Sequence, residues 1–307
     1  MAIEINIKIS SNDFHRLYFE RQFYLERNAF NCEIITWSTL SNLVHASRPD
    51  DPSDLRIFLN GPVPFIHYAQ KYQDIDLIKY RLLTDRLASL LSAGATLVLN
   101  RLDLRDQSIA SFCKHLSNRF GFRIVANGYL AYCGNGTFGK HWDTHDVFAS
   151  QILGKKLWRV YAPTFSLPLN HQKSKNFKED CPSDPIFESI LHPGDILYIP
   201  RGWWHEAIPI NNQETFHIAA GVHTAKFIDY LDWLLRARLP DTLIARTTAR
   251  LEFDNQNLLT QFADILSTEI LSRENQNCFS QEMEGLLNKF DKIDLTPERH
   301  CQKSNIN

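Results

Sequence analysis

Between Arg123 and Val222 the apolar residues come in short runs, each cut off by Gly, Pro, Asn or Asp before a helix could form. The runs are Arg123–Cys133, Asp146–Leu153, Lys156–Ala162, Asp195–Ile199, Glu206–Ile208 and Thr215–Gly221. Many short strands joined by turns bury their apolar faces by folding over one another, so the pattern predicts a sandwich or barrel. On both sides of it the period is helical. Upstream, Asn12 and Asp13 are candidate caps for a helix with Phe14, Leu17, Tyr18 and Tyr24 on one side. Trp37–Leu43 reads as a short helix, Asp54–Asn60 as a strand ending at the Asn60-Gly61 turn, and Leu77–Leu91 as a helix stopped by Gly94. Ala95–Leu99 is a buried strand, and Asp106 caps a helix through Ile109, Phe112 and Leu116 that ends near Gly121. Downstream, Phe227, Tyr230, Leu231 and Leu234 share one helical face, and Leu258, Phe262, Ile265 and Ile270 share another. The fold class is therefore mainly β with flanking helices: residues 1–224 hold the β core and its N-terminal helical elements, and 225–307 a helical region. Ser166–Asp184 is polar and without period, a long loop for the barrel rim, and the tail after Lys289 is expected to fray.

Charge and cysteine usage narrow the setting. With 33 basic and 35 acidic side chains the chain has no electrostatic footprint for nucleic acid, and no apolar run reaches the length of a membrane span. The N-terminal residues lack a signal-peptide pattern. Six scattered cysteines without a CxxC pair suit reduced thiols in a cytoplasm.

His141 and Asp143 flank Trp142 just before the strand that begins near Asp146. In extended backbone, residues i and i+2 point to the same face, so an imidazole and a carboxylate converge. A third ligand is offered by His205, at the end of Gly202-Trp203-Trp204-His205 and 64 residues after His141. Ahead of it, Pro193-Gly194-Asp195 is a tight turn feeding the strand Ile196–Ile199. Two histidines and one carboxylate on one side of a metal leave positions open, the geometry of non-haem Fe(II) oxygenases. An isolated HxD would be weak; HxD, glycine hairpin, Pro-Gly-Asp turn and aromatic-His together are specific. In the hairpin, Gly154-Lys155 is the turn and Lys156 opens the next strand, sharing a face with Trp158; Lys155 is the exposed turn residue. His145 reads as a residue behind the ligands or on the surface, since a fourth protein ligand would fill a position that the chemistry needs. Asp146 is a candidate to orient a ligand histidine, Trp203 and Trp204 to divide between core anchor and pocket wall, and Arg201 to lie exposed at the rim.

The segments Gly94–Asn100, Asn127-Gly128-Tyr129-Leu130, His141–Phe148, Leu157–Tyr161 and Pro193–His205 resemble the Jumonji-C/cupin group that contains the ribosomal oxygenases. The resemblance runs from about Thr96 to Val222, with a weak extension over Phe14–Asn28. It implies a double-stranded β-helix, or jelly roll, and hydroxylation coupled to oxidative decarboxylation of 2-oxoglutarate. It implies Fe(II) on His141, Asp143 and His205, with O2 and 2-oxoglutarate as co-reactants. The distal carboxylate of 2-oxoglutarate needs a cation inside the barrel, and both hairpin register and resemblance point to Lys156. Tyr129 matches a position that contacts the cosubstrate. Thr215 is a further candidate contact, and Asn127, Thr137 and His217 are candidates to line the pocket. The implied substrate is a side chain of a protein or peptide, with a small amino-acid-like metabolite as the alternative. Ribosomal oxygenases carry a helical dimerisation region and then a winged-helix domain; the roughly 80 residues after the barrel have room for the first but hardly for both, which argues against a ribosomal target. A cupin enzyme that uses no 2-oxoglutarate and a non-catalytic metal-binding module are the competing classes. Helices after the barrel mediate dimerisation in the resembling group, so a homodimer through residues 226–289 is expected.

Overall fold

A computed structural model of the chain describes residues 5–31, 35–134, 136–210, 212–249 and 256–288. Two units emerge, 1–223 and 224–307. The first contains α1 (Ser11–Leu17), β1 (Tyr24–Glu26), α2 (Trp37–His45), β2 (Leu55–Phe58), β3 (Pro62–Val63), β4 (Ala69–Asp74), β5 (Leu77–Leu82), α3 (Thr84–Ser92), β6 (Thr96–Leu99), α4 (Gln107–Phe120), β7 (Arg123–Ala131), β8 (Asp146–Leu153), β9 (Lys156–Tyr161), β10 (Phe187–Leu191), β11 (Ile196–Ile199), β12 (Trp204–Pro209) and β13 (Thr215–His223).

Every strand pairing is antiparallel. The large sheet runs β1-β11-β8-β13-β7-β6-β2-β3 and the small one β10-β9-β12. Strand alternation gives the large sheet two apolar faces. On β8, Val147 and Ala149 pack with Trp158 and Val160 of β9 and with Leu197 and Ile199 of β11, forming the core between the sheets. Phe148, Ile152, Tyr198, Phe216 and Ile218 face the other way, onto the larger core that includes Phe14 of α1 and Phe112, Leu116 and Phe120 of α4. Phe14, fully buried, has its ring centroid 4.4 Å from that of Phe120 and 4.8 Å from that of Tyr198. Burying a ring of this size contributes on the order of 1.5–3 kcal/mol, enough to fix the helices over the sheet. The result is the expected jelly roll with helices outside it.

Several local expectations need correction. Ser10, not Asn12 or Asp13, caps α1, accepting the Asp13 amide at 3.0 Å, and Tyr24 lies in β1. The helix expected over Leu77–Leu91 is a strand followed by a helix: β5 pairs with β4 in a separate hairpin, and only Thr84–Ser92 is helical. Leu77 and Ile78 lie on that hairpin largely exposed, so their spacing reported neither a helix nor a buried strand. The Asp106 cap behaves as predicted, accepting from Ser108 and Ile109, and α4 ends at Gly121. β10 follows the long loop and was not foreseen. Arg201 is buried and paired with Glu20 at 2.7 Å, not exposed at the rim.

The second unit holds α5 (Phe227–Ala237), α6 (Gln256–Leu271) and α7 (Arg273–Asn288). Within it the Phe279 ring lies against Tyr230 and Trp233, at 5.1 and 5.8 Å, and the Trp233 indole donates to Glu282 at 2.7 Å. The sequence predicts the second helix over Leu251–Leu271; its first five residues, 251–255, and the tail after Lys289 lie outside the described residues.

Candidate metal centre and its cavity

His141 and His205 are joined directly through their backbones. The His141 amide donates to the His205 carbonyl at 3.1 Å, and the His205 amide returns the bond at 2.7 Å. This antiparallel bridge lies on the edge of β12 opposite β9 and brings the two rings together, tilted by 57° with centroids 4.4 Å apart. Asp143 follows two residues later, its carbonyl accepting from Gly202 at 3.0 Å and its Oδ2 lying 3.7 Å from His205 Nε2. Gly202 has φ +83, and a Cβ there would sit 2.4 Å from the Phe165 carbonyl oxygen, so this crossing accepts only glycine. The ligand atoms of His141, Asp143 and His205 all lie within 4.8 Å of one another, and among the described residues no other group of three such side chains does so.

The donor set fits a divalent metal. The Nδ1 atoms of His141 and His205 lie 2.9 and 3.0 Å from the carbonyls of Gly139 and Trp203, which leaves both Nε2 lone pairs for an ion. These backbone carbonyls do the orienting that Asp146 was a candidate for; Asp146 instead accepts from the Tyr198 hydroxyl at 2.6 Å. Burial, and after it the neighbouring His141, pushes His205 down to about 4, so it is a neutral ligand at ordinary pH. Burial alone would raise the Asp143 carboxyl, but His141, His205 and His145 together hold it below its usual value and ionised. His145 stays outside the ligand group, its ring stacked on His223 at 5.8 Å.

Trp142 points the opposite way from its neighbours, as alternation requires. It is buried against Phe165, Phe177 and Trp204, with ring centroids 5.8, 6.0 and 6.2 Å away. The loop after β9 thus forms a small aromatic core behind the ligands. Trp204 is its anchor, donating from Nε1 to Thr164 at 2.8 Å, while Trp203 packs on Phe23. Neither lines the cavity; Trp158 does.

A cavity of about 220 Å³ extends from the triad into the barrel. Its walls follow the strand period: Tyr129 and Ala131 of β7, Lys156 and Trp158 of β9, His205, Ala207 and Pro209 of β12, His217 and Ala219 of β13. Lys156 is buried, its Nζ 2.9 Å from His217 Nδ1. Burial pulls Lys156 down to about 7 and His217 well below the usual imidazole value, and it raises the Tyr129 phenol, which stays protonated. The Tyr129 ring stacks on His217 at 4.9 Å. Thr137 also lines the cavity, whereas Asn127 is spent on the Arg101 amide at 3.0 Å. Thr215 is fully buried but outside the cavity wall: its hydroxyl is 2.9 Å from Gln151 Nε2. His217, one pleat further along β13, lines the cavity instead. Lys155 is the exposed turn residue.

A jelly roll that presents two imidazoles and a carboxylate at one end has the arrangement of a cupin-type candidate metal site. Residues 99–230 match the family described as the JmjC domain. Over 115 residues it is 37% identical to the bifunctional lysine-specific demethylase and histidyl-hydroxylase NO66 of Drosophila persimilis, covering 38% of this chain and 16% of that protein. Human ribosomal oxygenase 1 is 31% identical over 185 residues, covering 59% of this chain and 28% of that one. The chain spans less than a third of the length of these curated relatives. Among solved structures, the ribosomal oxygenase YcfD from Escherichia coli in complex with cobalt and 2-oxoglutarate superposes with a TM-score of 0.61 at 19% identity, over 96% of this chain and 75% of that one.

Proposed function

We propose that the chain is an Fe(II)- and 2-oxoglutarate-dependent dioxygenase that hydroxylates a side chain of a protein or peptide. One observation carries this reading: the triad His141, Asp143 and His205 opens into the same cavity whose inner wall holds the buried cation-bearing side chain Lys156. The three side chains would hold iron(II), which when bound supplies oxygen activation and the oxidative decarboxylation of a 2-oxo acid. The chain's own residues bind and orient. Lys156 faces the distal carboxylate, the Tyr129 hydroxyl offers it a further donor, and Val147, Trp158 and Ala207 exclude water from between. The matched relatives are named as hydroxylases and oxygenases, which supports the class of reaction. Incubation of the iron-loaded protein with 2-oxoglutarate and oxygen, followed by mass spectrometry of lysate peptides, tests it. Succinate and peptides heavier by one oxygen are expected, and both vanish with His141→Ala. Succinate without any modified peptide would redirect the reading to a small metabolite; no succinate under any substrate mixture would end it.

A homodimer formed through residues 226–289 belongs to the same reading. Phe227, Ile228 and Leu235 of α5 and Leu258, Leu259 and Leu271 of α6 are exposed in the single chain. Light scattering at micromolar concentration is expected to give twice the chain mass, and Leu235→Asp to reduce it; a monomer mass for the unaltered protein would exclude the dimer. A cytoplasmic setting is supported by Cys113, Cys133, Cys181 and Cys278, all unpaired thiols, and among the described residues no helix is long and apolar enough to cross a membrane.

A further inference from the structure

We propose that cosubstrate binding is coupled to proton uptake: Lys156 takes up a proton as the distal carboxylate of a 2-oxo dicarboxylic acid enters the cavity, and His217 keeps the lysine in place in both charge states. The proposal rests on the reading above that the cavity binds 2-oxoglutarate.

The starting point is a contact between two basic groups. Lys156 Nζ and His217 Nδ1 are 2.9 Å apart, and both side chains are buried. An ammonium and an imidazolium cannot share that contact, so the pair carries at most one positive charge. A charged Lys156 donates to the Nδ1 lone pair. A neutral amine keeps the contact by donating or by accepting from Nδ1–H. His217 therefore holds the lysine whichever form is present, and its stacking on Tyr129 fixes the ring.

Among the described residues no counter-ion stands beside the pair. The titratable groups facing it are the Tyr129 phenol from β7, His205 from β12, and His141 and Asp143 at the metal end. Asp143 is the one carboxylate among them and belongs to the triad. Thr96, Thr137 and Trp158 complete the polar part of the wall, and none carries charge. Burial without a carboxylate draws Lys156 down to about 7, so near neutral pH the empty cavity holds a mixture of charged and neutral lysine. An incoming carboxylate pairs only with the charged form, which draws a proton from solvent. A second group in the same wall also awaits an acceptor: the Trp158 indole Nε1 is buried without a hydrogen-bond partner.

The coupling predicts which ligands bind and when. A 2-oxo dicarboxylate releases the cost of the buried cation. A 2-oxo monocarboxylate, which reaches only the metal end, does not. Above the lysine's empty-site value the affinity for the dicarboxylate falls by about tenfold per pH unit.

Isothermal titration of the full chain, saturated with Mn(II) at every pH, tests this with 2-oxoglutarate and pyruvate in phosphate and in Tris, buffers of small and large ionisation enthalpy. Uptake of roughly half a proton per 2-oxoglutarate is expected at pH 7 and close to one at pH 8.5, with Kd rising about tenfold per unit above pH 7.5. Pyruvate shows no uptake. Lys156→Arg, whose guanidinium stays charged, binds 2-oxoglutarate with a flat pH profile and no uptake. Tight binding without uptake by the unaltered protein, or the same uptake in Lys156→Arg, overturns the proposal and leaves the functional reading standing. Absence of 2-oxoglutarate binding at every pH overturns both.

Discussion

Lys156 and Gly154 show how much a single position carries in this chain. Lys156→Ala removes the buried amine proposed to pair, in its charged form, with an incoming carboxylate. An unpaired buried charge costs about 3–5 kcal/mol, so 2-oxoglutarate binding is expected to weaken by roughly two to three and a half orders of magnitude. Lys155→Ala, one residue away in the exposed turn, leaves binding unchanged. Titration of both variants checks the pair, and the reverse ranking would mean that β9 presents its other face to the cavity. Gly154 makes the register possible. Its φ is +63, and a Cβ would fall 2.1 Å from the Glu214 carbonyl oxygen. Gly154→Ala is therefore expected to destabilise the protein by at least about 1–3 kcal/mol, read from urea unfolding, and to displace Lys156 with it. An unchanged unfolding midpoint would show that the turn has room to spare.

At the scale of elements, the loop after β9 supports the ligands from behind. Phe165 and Phe177 hold Trp142, and Trp142 lies between the two ligands His141 and Asp143. Phe177→Ala is expected to weaken metal binding by about tenfold, the usual cost of losing a support for a ligand, while circular dichroism stays native. Equal metal affinity in the variant would make the loop a passive cover. Little of this was legible in the sequence, because Ser166–Asp184 has no period, and its Phe177, with Phe165 just ahead of it, meets Trp142 only in three dimensions. The strands β7, β8, β9, β11, β12 and β13 were legible, because turn residues bound them and their alternation matches a core on each face. The β4–β5 hairpin was not: Ala69–Asp74 is mostly polar, and Leu77 and Ile78 mimic a helical stripe while facing solvent. The grouping of His141, Asp143 and His205 could be read from HxD spacing and the later aromatic-His. His217 was harder, since a strand histidine is usually a core residue, and only the meeting of β9 with β13 brings it to Lys156.

For the whole molecule, the cavity sets stability against function. Lys156 sits at about 7 in the folded chain and near its usual value when unfolded. Between these the unfolded state binds more protons, so folded stability contributed by this group rises with pH above about 7 and is lowest below it. Lys156→Met is expected to raise the melting temperature of the ligand-free protein at pH 6 and to flatten its rise between pH 7 and 9, while ending 2-oxoglutarate binding. Differential scanning calorimetry across that range checks both parts, and a lower melting temperature at pH 6 would show that the lysine is not strained by burial. Metal acts in the opposite sense. An ion at a hundred times its Kd stabilises by about 2.7 kcal/mol, worth several degrees of melting temperature, and His141→Ala abolishes the gain.

The backbone bridge between His141 and His205 also orders events in time. These residues are 64 apart in the chain, yet their amides are locked to each other by the fold itself. Because the bridge uses backbone atoms alone and none of the ligand atoms, the barrel is expected to close first and load afterwards. Both amide protons will then exchange with deuterium as slowly in chelator-treated protein as in the loaded one. Ion capture will speed up in proportion to ion concentration, with no ceiling imposed by a slow rearrangement of the chain.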